Sequence, residues 1–240
     1  MLVCGPSGGG KSTFLRALAG IVPQLTGGDL TGDLRVLGRD PTRTAPRDLA
    51  AAGVAFVFQD PAESIVAARV FEEVAFGPQN LGLSGPVLRE RVEQALHDVG
   101  LAGQEKRIAR TLSAGQQQRL ALAGALAMGP RLLLADEPTA HLDPAAADEI
   151  LALFATLPSQ GITVVLAEHR LALATPRAPR VIAIAQGRII ADGPPRLVFA
   201  DAALASHGVP VPVAVRVADS LRLIAPIPLT PAELARAIAR

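Results

Sequence analysis

The sequence predicts an α/β protein with a mostly parallel sheet flanked by helices. Short apolar strands alternate with helical segments along 240 residues, and this alternation is typical of a parallel sheet covered on both faces. Half of the residues are hydrophobic and 19% are charged, so the chain can bury a sizeable core. The net charge of +1 provides no polybasic field that could hold nucleic acid by electrostatics alone.

Cysteine usage and hydropathy indicate the compartment. The single cysteine, Cys4, excludes an internal disulfide and fits a reducing environment. No apolar run reaches the roughly 18 to 20 residues that span a bilayer, and no signal peptide precedes the first motif. We therefore expect a soluble cytosolic protein.

The strands are predicted where short runs of Val, Ile, Leu, Phe and Ala are bounded by Gly, Pro or polar residues. They are Met1–Cys4, Leu34–Leu37, Val54–Phe58, Arg131–Ala135, Ile162–Ala167, Val181–Ala185 and Arg188–Ala191. The last two are joined at Gln186–Gly187 and predict a closing hairpin. Helices are predicted where apolar residues recur with helical periodicity. They are Phe14–Ala19, Val87–Val99, Ala114–Met128 and Asp143–Leu157.

A phosphate-binding loop lies between the first strand and the first helix. The residues are Gly5, Pro6, Ser7, Gly8, Gly9, Gly10, Lys11, Ser12 and Thr13. Glycines allow backbone N–H groups to surround phosphate oxygens, and the helix N-terminus adds partial positive charge. Lys11 would contact the β- and γ-phosphates and the Ser12 hydroxyl would ligate Mg²⁺. A P-loop nucleotide-binding fold is therefore predicted.

Two carboxylates follow the apolar strand that ends at Ala135. The ends of parallel strands converge on the ligand crevice, so Asp136 and Glu137 should face the P-loop. Asp136 is suited to Mg²⁺ through water, and Glu137 to the role of general base for the attacking water.

Two further stretches carry a family resemblance. Leu112-Ser113-Ala114-Gly115-Gln116-Gln117-Gln118-Arg119, followed by Asp136-Glu137-Pro138-Thr139-Ala140-His141-Leu142-Asp143, resembles the ATP-binding subunit of ABC transporters. The resemblance implies a small helical subdomain that carries the first stretch, the signature motif. It also implies that Ser113, Gly115 and Gln116 bind the ATP held by the P-loop of a second ABC ATPase domain, packed head to tail. Ala114 stands where the family usually has glycine.

Two more residues match the family pattern, Gln59 after its strand and His169 after the strand that ends at Ala167. The resemblance implies that Gln59 senses Mg²⁺ and the attacking water and transmits the nucleotide state, and that His169 reaches the γ-phosphate. The expected catalytic residues are thus Glu137, His169 and Gln59, and the expected metal ligands are Ser12, Gln59 and Asp136.

The stretch from Gln59 to Gly82 is similar to energy-coupling factor ATPases, which serve vitamin and cobalt or nickel importers. Glu168-His169-Arg170-Leu171 and the Pro-rich tail resemble the first half of a tandem ATPase. The resemblance implies a Mg²⁺-dependent ATPase, peripheral on the cytoplasmic face of the membrane, which drives uptake of a small solute through a transmembrane coupling subunit. Residues 1–205 are expected to form the ATPase domain, with 84–128 as its helical subdomain and 206–240 as an appendage.

The sequence departs from the family pattern at its start. Family members begin with antiparallel strands that bear an adenine-stacking aromatic, and here Met1 stands where the P-loop strand is already under way. We therefore expect an internal start or a fragment of a longer protein. The alternative function is a truncated, non-catalytic nucleotide-binding module that supports a competent partner.

Two other classes are disfavoured. ABC ATPases of DNA repair or translation carry long insertions, for which there is no room between Gln59 and Ser113. Near-neutral charge also argues against a nucleic-acid partner. A P-loop kinase would leave Ser113 to Gln116 unexplained. The sequence does not identify the solute, and it does not distinguish a homodimer from a heterodimer.

Overall fold

The structure is a computed structural model that describes residues 1–223 and 226–239. The described residues form six strands: β1 (Leu2–Cys4), β2 (Val54–Val57), β3 (Leu132–Asp136), β4 (Thr163–Ala167), β5 (Val181–Ala185) and β6 (Arg188–Gly193). The α-helices before β3 are α1 (Lys11–Leu18), α2 (Pro46–Ala51), α3 (Pro61–Ser64), α4 (Val70–Asn80), α5 (Gly85–Asp98) and α6 (Ala114–Ala127). Those after β3 are α7 (Pro144–Thr156), α8 (Leu171–Ala174), α9 (Pro195–Val198), α10 (Ala203–Ser206), α11 (Val213–Ser220) and α12 (Pro231–Ile238).

The chain divides into two compact units. The first unit comprises Met1–Ser12 and Val165–Arg240, and the second comprises Thr13–Val164. The division passes through β4 and near the start of α1.

The strands of the first unit follow the order β4-β1-β5-β6. β1 pairs in parallel with β4, where Leu2 lies beside Leu166, and with β5, where Leu2 lies beside Val181. β6 returns antiparallel along β5 through the turn at Gln186–Gly187. The predicted hairpin is therefore confirmed. β1 and β5 are buried along their whole length, because helices and loops cover both faces of a parallel sheet.

In the second unit β2 and β3 pair in parallel, with Val57 beside Ala135. Helices α4, α5 and α6 pack on one another through buried apolar residues such as Val74, Val92 and Leu120. The mostly parallel sheet, the flanking helices and the helical group confirm the predicted α/β fold class.

Helices α2, α3, α4 and α8 to α12 were not predicted, and one predicted strand is absent from the described residues. Leu34–Leu37 forms no strand, because only Val36 pairs, through a bridge to Arg39 across the Leu37–Gly38 turn. Helix α4 was not predicted, because Gly77 and Pro78 interrupt its pattern. A proline ordinarily breaks a helix interior, but Pro78 is buried in the last turn of this one.

Within residues 1–223 and 226–239, none of the helices is long and apolar enough to cross a membrane. The boundaries expected for the ATPase domain, its helical subdomain and the appendage stay predictions.

Candidate nucleotide site

The P-loop leaves β1 at Cys4 and enters α1 at Lys11. Gly5, Gly8 and Gly10 adopt positive φ angles of 154°, 73° and 108°. A Cβ on Gly5 would lie 1.9 Å from the carbonyl oxygen of Ile184. This first glycine is therefore required, because a side chain would collide with the backbone of β5.

The hairpin of β5 and β6 is hydrogen-bonded to the P-loop. The backbone N–H of Gly187 donates to the carbonyl of Gly9 at 2.9 Å, and the N–H of Gly9 donates to the carbonyl of Pro6 at 3.0 Å. Sequence analysis did not identify Ile184 and Gly187 as part of this site. Ile184 lies within β5, and the place of Gly187 in a Gln-Gly turn is a signal common to ordinary hairpins.

Lys11 is buried, with 4% of its surface exposed. Its ammonium donates to the carbonyls of Gly5 and Pro6, each at 3.2 Å, and lies 3.1 Å from Nε2 of His169. Because an ammonium can only donate, Nε2 acts as the acceptor and the ring proton belongs on Nδ1. The structure thus brings together two predicted residues of the first unit that are 158 positions apart.

Two neighbours of this cluster have distinctive environments. Burial raises the pKa of the Cys4 thiol to about 12, against the opposing charge of Lys11. The thiol therefore stays protonated, as expected of a small buried apolar residue.

Glu168 is 1% exposed, and its carboxylate accepts from the backbone N–H groups of His169 and Arg170 at 2.7 and 3.0 Å. Glu168 thereby fixes the turn that carries His169.

Gln59 and Glu137 meet in the second unit. Val57 and Ala135 are paired across β2 and β3. Gln59 lies two positions after Val57, and Glu137 lies two positions after Ala135. Nε2 of Gln59 donates to Oε2 of Glu137 at 3.3 Å. Asp136 ends β3 and is 2% exposed, whereas Glu137 is half-buried in a left-handed conformation at φ 48°. The parallel register therefore makes one cluster from two separate strand ends.

The signature residues lie at the start of α6. The hydroxyl of Ser113 accepts from the N–H of Gln116 at 3.3 Å, and Oε1 of Gln116 accepts from the N–H of Ser113 at 3.1 Å. This capping box fixes the helix start. Gly115 lies beside α7, where a Cβ on this residue would be 3.7 Å from the Cβ of Ala146. The exposed hydroxyl of Ser113 and the first-turn N–H groups are thus presented at a helix N-terminus.

A cavity of about 540 Å³ opens beside Gln59 in the second unit. Its lining includes Arg16 of α1, Phe58, Glu63 of α3 and His141. The sequence predicted no role for Arg16 or His141.

The fold and the P-loop define a P-loop NTPase. A family model described as ABC transporter matches residues 1–140. The chain is 41% identical to the cobalt import ATP-binding protein CbiO of Rhodobacter capsulatus, over 92% of this chain and 78% of that protein. It is 42% identical to the energy-coupling factor transporter ATP-binding protein EcfA2 of Methanospirillum hungatei, over 82% of this chain and 48% of that protein.

Among solved structures, CbiO1 from Clostridium perfringens, described as part of the ABC transporter complex CbiONQ, is similar to this chain. It superimposes with a TM-score of 0.71 at 34% identity, over 83% of this chain and 78% of that one. The chain spans only 32 to 40% of the length of three relatives called putative ABC transporter ATP-binding proteins.

The chain belongs to the ABC transporter family, and its relatives place it with the ATP-binding proteins of energy-coupling factor and cobalt importers. This confirms the resemblance drawn from the signature stretch and the Gln59 to Gly82 region. Nucleotide-binding domains of this family bind ATP or ADP.

Proposed function

We propose that the chain is an ATP-hydrolysing subunit that drives uptake of a small solute through a membrane transporter. The observation that carries the proposal is the P-loop, in which positive-φ glycines shape the backbone and a buried lysine ends the turn. Such a loop binds phosphate groups through backbone N–H donors and the Lys11 ammonium. The P-loop residues from Gly5 to Thr13 thereby hold the triphosphate.

Mg²⁺ would be held by Ser12, Asp136 and Gln59 together with the phosphates. Hydroxyl, carboxylate and amide oxygens are the donors that this ion prefers. Since the amide nitrogen of Gln59 is used by Glu137, its amide oxygen is the atom that suits a cation. The residues therefore fit the ion, which when bound would neutralise charge on the phosphate oxygens.

Glu137 acts as the general base. Its carboxylate accepts a proton from water while the water oxygen attacks the γ-phosphorus and the bond from that phosphorus to the β–γ bridging oxygen breaks. The products are ADP and inorganic phosphate. Gln59 donates to the Glu137 carboxylate and so orients the base, and His169 contacts the γ-phosphate.

A second ABC ATPase domain completes the catalytic state. Ser113, Gly115 and Gln116 present a hydroxyl and helix N-terminal N–H groups, which suit a phosphate group held by another P-loop. We propose a head-to-tail dimer on the cytoplasmic face of the membrane, with a transmembrane coupling subunit as the other partner. The capping box of Ser113 and Gln116 supports this assignment, because it holds the donors in place.

The proposed solute class is a transition metal ion or a vitamin. The name of the CbiO relative, a cobalt import protein that the chain covers over 78% of its length, supports a metal ion.

The test is equilibrium binding of a fluorescent ATP analogue to the 240-residue chain and to Lys11→Ala. Charge-assisted hydrogen bonds contribute about 1.5 to 3 kcal/mol, so we expect affinity to fall roughly tenfold to 150-fold in this variant.

The matched control is Lys106→Ala, since Lys106 is the other lysine of the chain and is exposed. Its affinity should equal that of the unmodified chain. Binding that is equal in all three proteins, or absent from all three, would overturn the proposal for this chain.

A further inference from the structure

A cavity of about 210 Å³ lies in the C-terminal part of the first unit. It is lined by residues of α11, by residues 199–202 after α9, and by Leu223 and Ile227. The sequence of this part is rich in Pro and Ala and predicted only an appendage.

The interior of the cavity is apolar. Phe199, Val215 and Ala218 line the cavity and are 3%, 6% and 4% exposed. Leu223 and Ile227 line it as well and are half-buried. These residues provide an apolar surface for a ligand side chain.

Charged groups of both signs line the same cavity. Arg216 and Asp219 lie one helical turn apart on α11, and both are exposed. Within residues 1–223 and 226–239, neither side chain makes a hydrogen bond or an ion pair, even with the other. Asp201 also lines the cavity, and its carboxylate accepts from the N–H of Ala203 at 2.8 Å. The described lining of the cavity therefore presents one cation, Arg216, and two anions, Asp219 and Asp201, to a ligand.

The size limits the ligand. Drug-sized pockets hold roughly 300 to 1,000 Å³, so this cavity is smaller. At roughly 30 Å³ for each water-sized group, it holds about seven such groups. That is the scale of a ligand with eight or nine heavy atoms, one end of which extends into the open mouth.

We propose that this cavity binds a small apolar α-amino acid. The ligand carboxylate pairs with the Arg216 guanidinium, its ammonium pairs with Asp219, and its side chain packs against Val215 and Phe199. An amine alone leaves Arg216 unpaired, and a carboxylic acid alone places its charge beside Asp219 and Asp201. A zwitterion pairs with Arg216 and with Asp219 at the same time.

Isothermal titration calorimetry of the whole chain with L-leucine tests the proposal, without nucleotide. We expect saturable binding with a Kd below about 1 mM. Two analogues match the leucine side chain but lack one charge each: 4-methylpentanoate lacks the ammonium and 3-methylbutan-1-amine lacks the carboxylate. Each should bind at least about tenfold more weakly, and so should glycine, which lacks the apolar side chain.

Two variants test the assigned charges. Arg216→Gln and Asp219→Asn should each weaken L-leucine binding at least about tenfold. Both residues are exposed, so the fold should persist, and circular dichroism checks this. Arg188→Gln, at an exposed arginine outside the cavity, is the matched control and should bind like the unmodified chain.

Three results overturn the proposal: no saturable L-leucine binding, equal binding of either single-charge analogue, or binding unchanged in both cavity variants. None of them bears on ATP binding, which is measured separately at Lys11.

Discussion

The P-loop and the acidic turn after β3 are both turns that follow a buried strand, yet they are built in opposite ways. The P-loop contains three glycines at positive φ, and we propose that it binds phosphate through its backbone N–H groups. The acidic turn places Glu137 at φ 48°, although a left-handed conformation costs a residue with a side chain about 1 to 2 kcal/mol.

The difference follows from what each turn must bring close to its neighbours. Gly5 lies so close to β5 that a Cβ would collide with the Ile184 carbonyl oxygen, so a residue without a side chain is required there. Where a carboxylate is the reagent, the side chain must be kept and the strained backbone is tolerated. The P-loop should therefore be sensitive to added atoms, and the acidic turn to lost charge.

The largest effect is expected from Glu137→Gln. The amide keeps the size of the side chain but cannot accept a proton from water, and general-base catalysis contributes about 10² to 10⁴-fold. We expect the ATP hydrolysis rate to fall by at least about a hundredfold while binding of the fluorescent ATP analogue stays unchanged. Phosphate release measures the first quantity and fluorescence anisotropy the second.

Glu90→Gln, on an exposed position of α5, is the control and should hydrolyse ATP at the unmodified rate. If Glu137→Gln retained more than about half of the activity, Glu137 would not be the base, and the contrast between the two turns would be lost.

The next largest effect is a difference in the free energy of unfolding between alanine variants of two P-loop glycines. Gly5→Ala places a methyl group 1.9 Å from the Ile184 carbonyl oxygen, so we expect about 3 kcal/mol of lost stability. Gly8→Ala meets no atom within 4 Å and should cost only about 1 to 2 kcal/mol, through its positive φ. Urea denaturation followed by circular dichroism measures both.

Failure of Gly5→Ala to fold agrees with the same expectation, provided that Gly8→Ala folds. Equal stability of the two variants would show that the loop moves away from β5 without cost, and the contrast with the acidic turn would be lost.

The motif-bearing parts of the fold could be predicted from the sequence because their signals are local. Gly5 to Thr13 is contiguous, and the apolar run before Asp136 identifies its own strand. The pairing of Gln59 with Glu137 could also have been derived, since parallel neighbours place equivalent positions side by side.

The support of the P-loop by Gly187 could not be predicted, because the contact joins positions at opposite ends of the domain through a backbone hydrogen bond. Helix α4 was missed because Pro78 is tolerated only where tertiary packing buries it. The C-terminal cavity had no sequence signal, since Val215, Ala218 and Ile227 are ordinary apolar residues until the turns bring them together.

The smallest effect concerns His169. The Lys11 ammonium lies 3.1 Å from Nε2 of His169 and also donates to two loop carbonyls. Phosphate must compete for this ammonium, so removing the imidazole should help a nucleotide to bind. A hydrogen bond contributes about 0.5 to 1.5 kcal/mol, and we expect ADP to bind His169→Ala roughly two- to tenfold more tightly.

ADP is the informative ligand because it has no γ-phosphate, so any loss of a contact between His169 and that group does not affect the result. His207→Ala, at an exposed histidine in the same unit, should leave ADP affinity unchanged. Unchanged or weaker ADP binding by His169→Ala would show that phosphate does not displace the imidazole. Tighter binding would instead show that a side chain, His169, competes with the ligand of the P-loop. The acidic turn differs in this respect, because the amide of Gln59 donates to the Glu137 carboxylate and does not compete for phosphate.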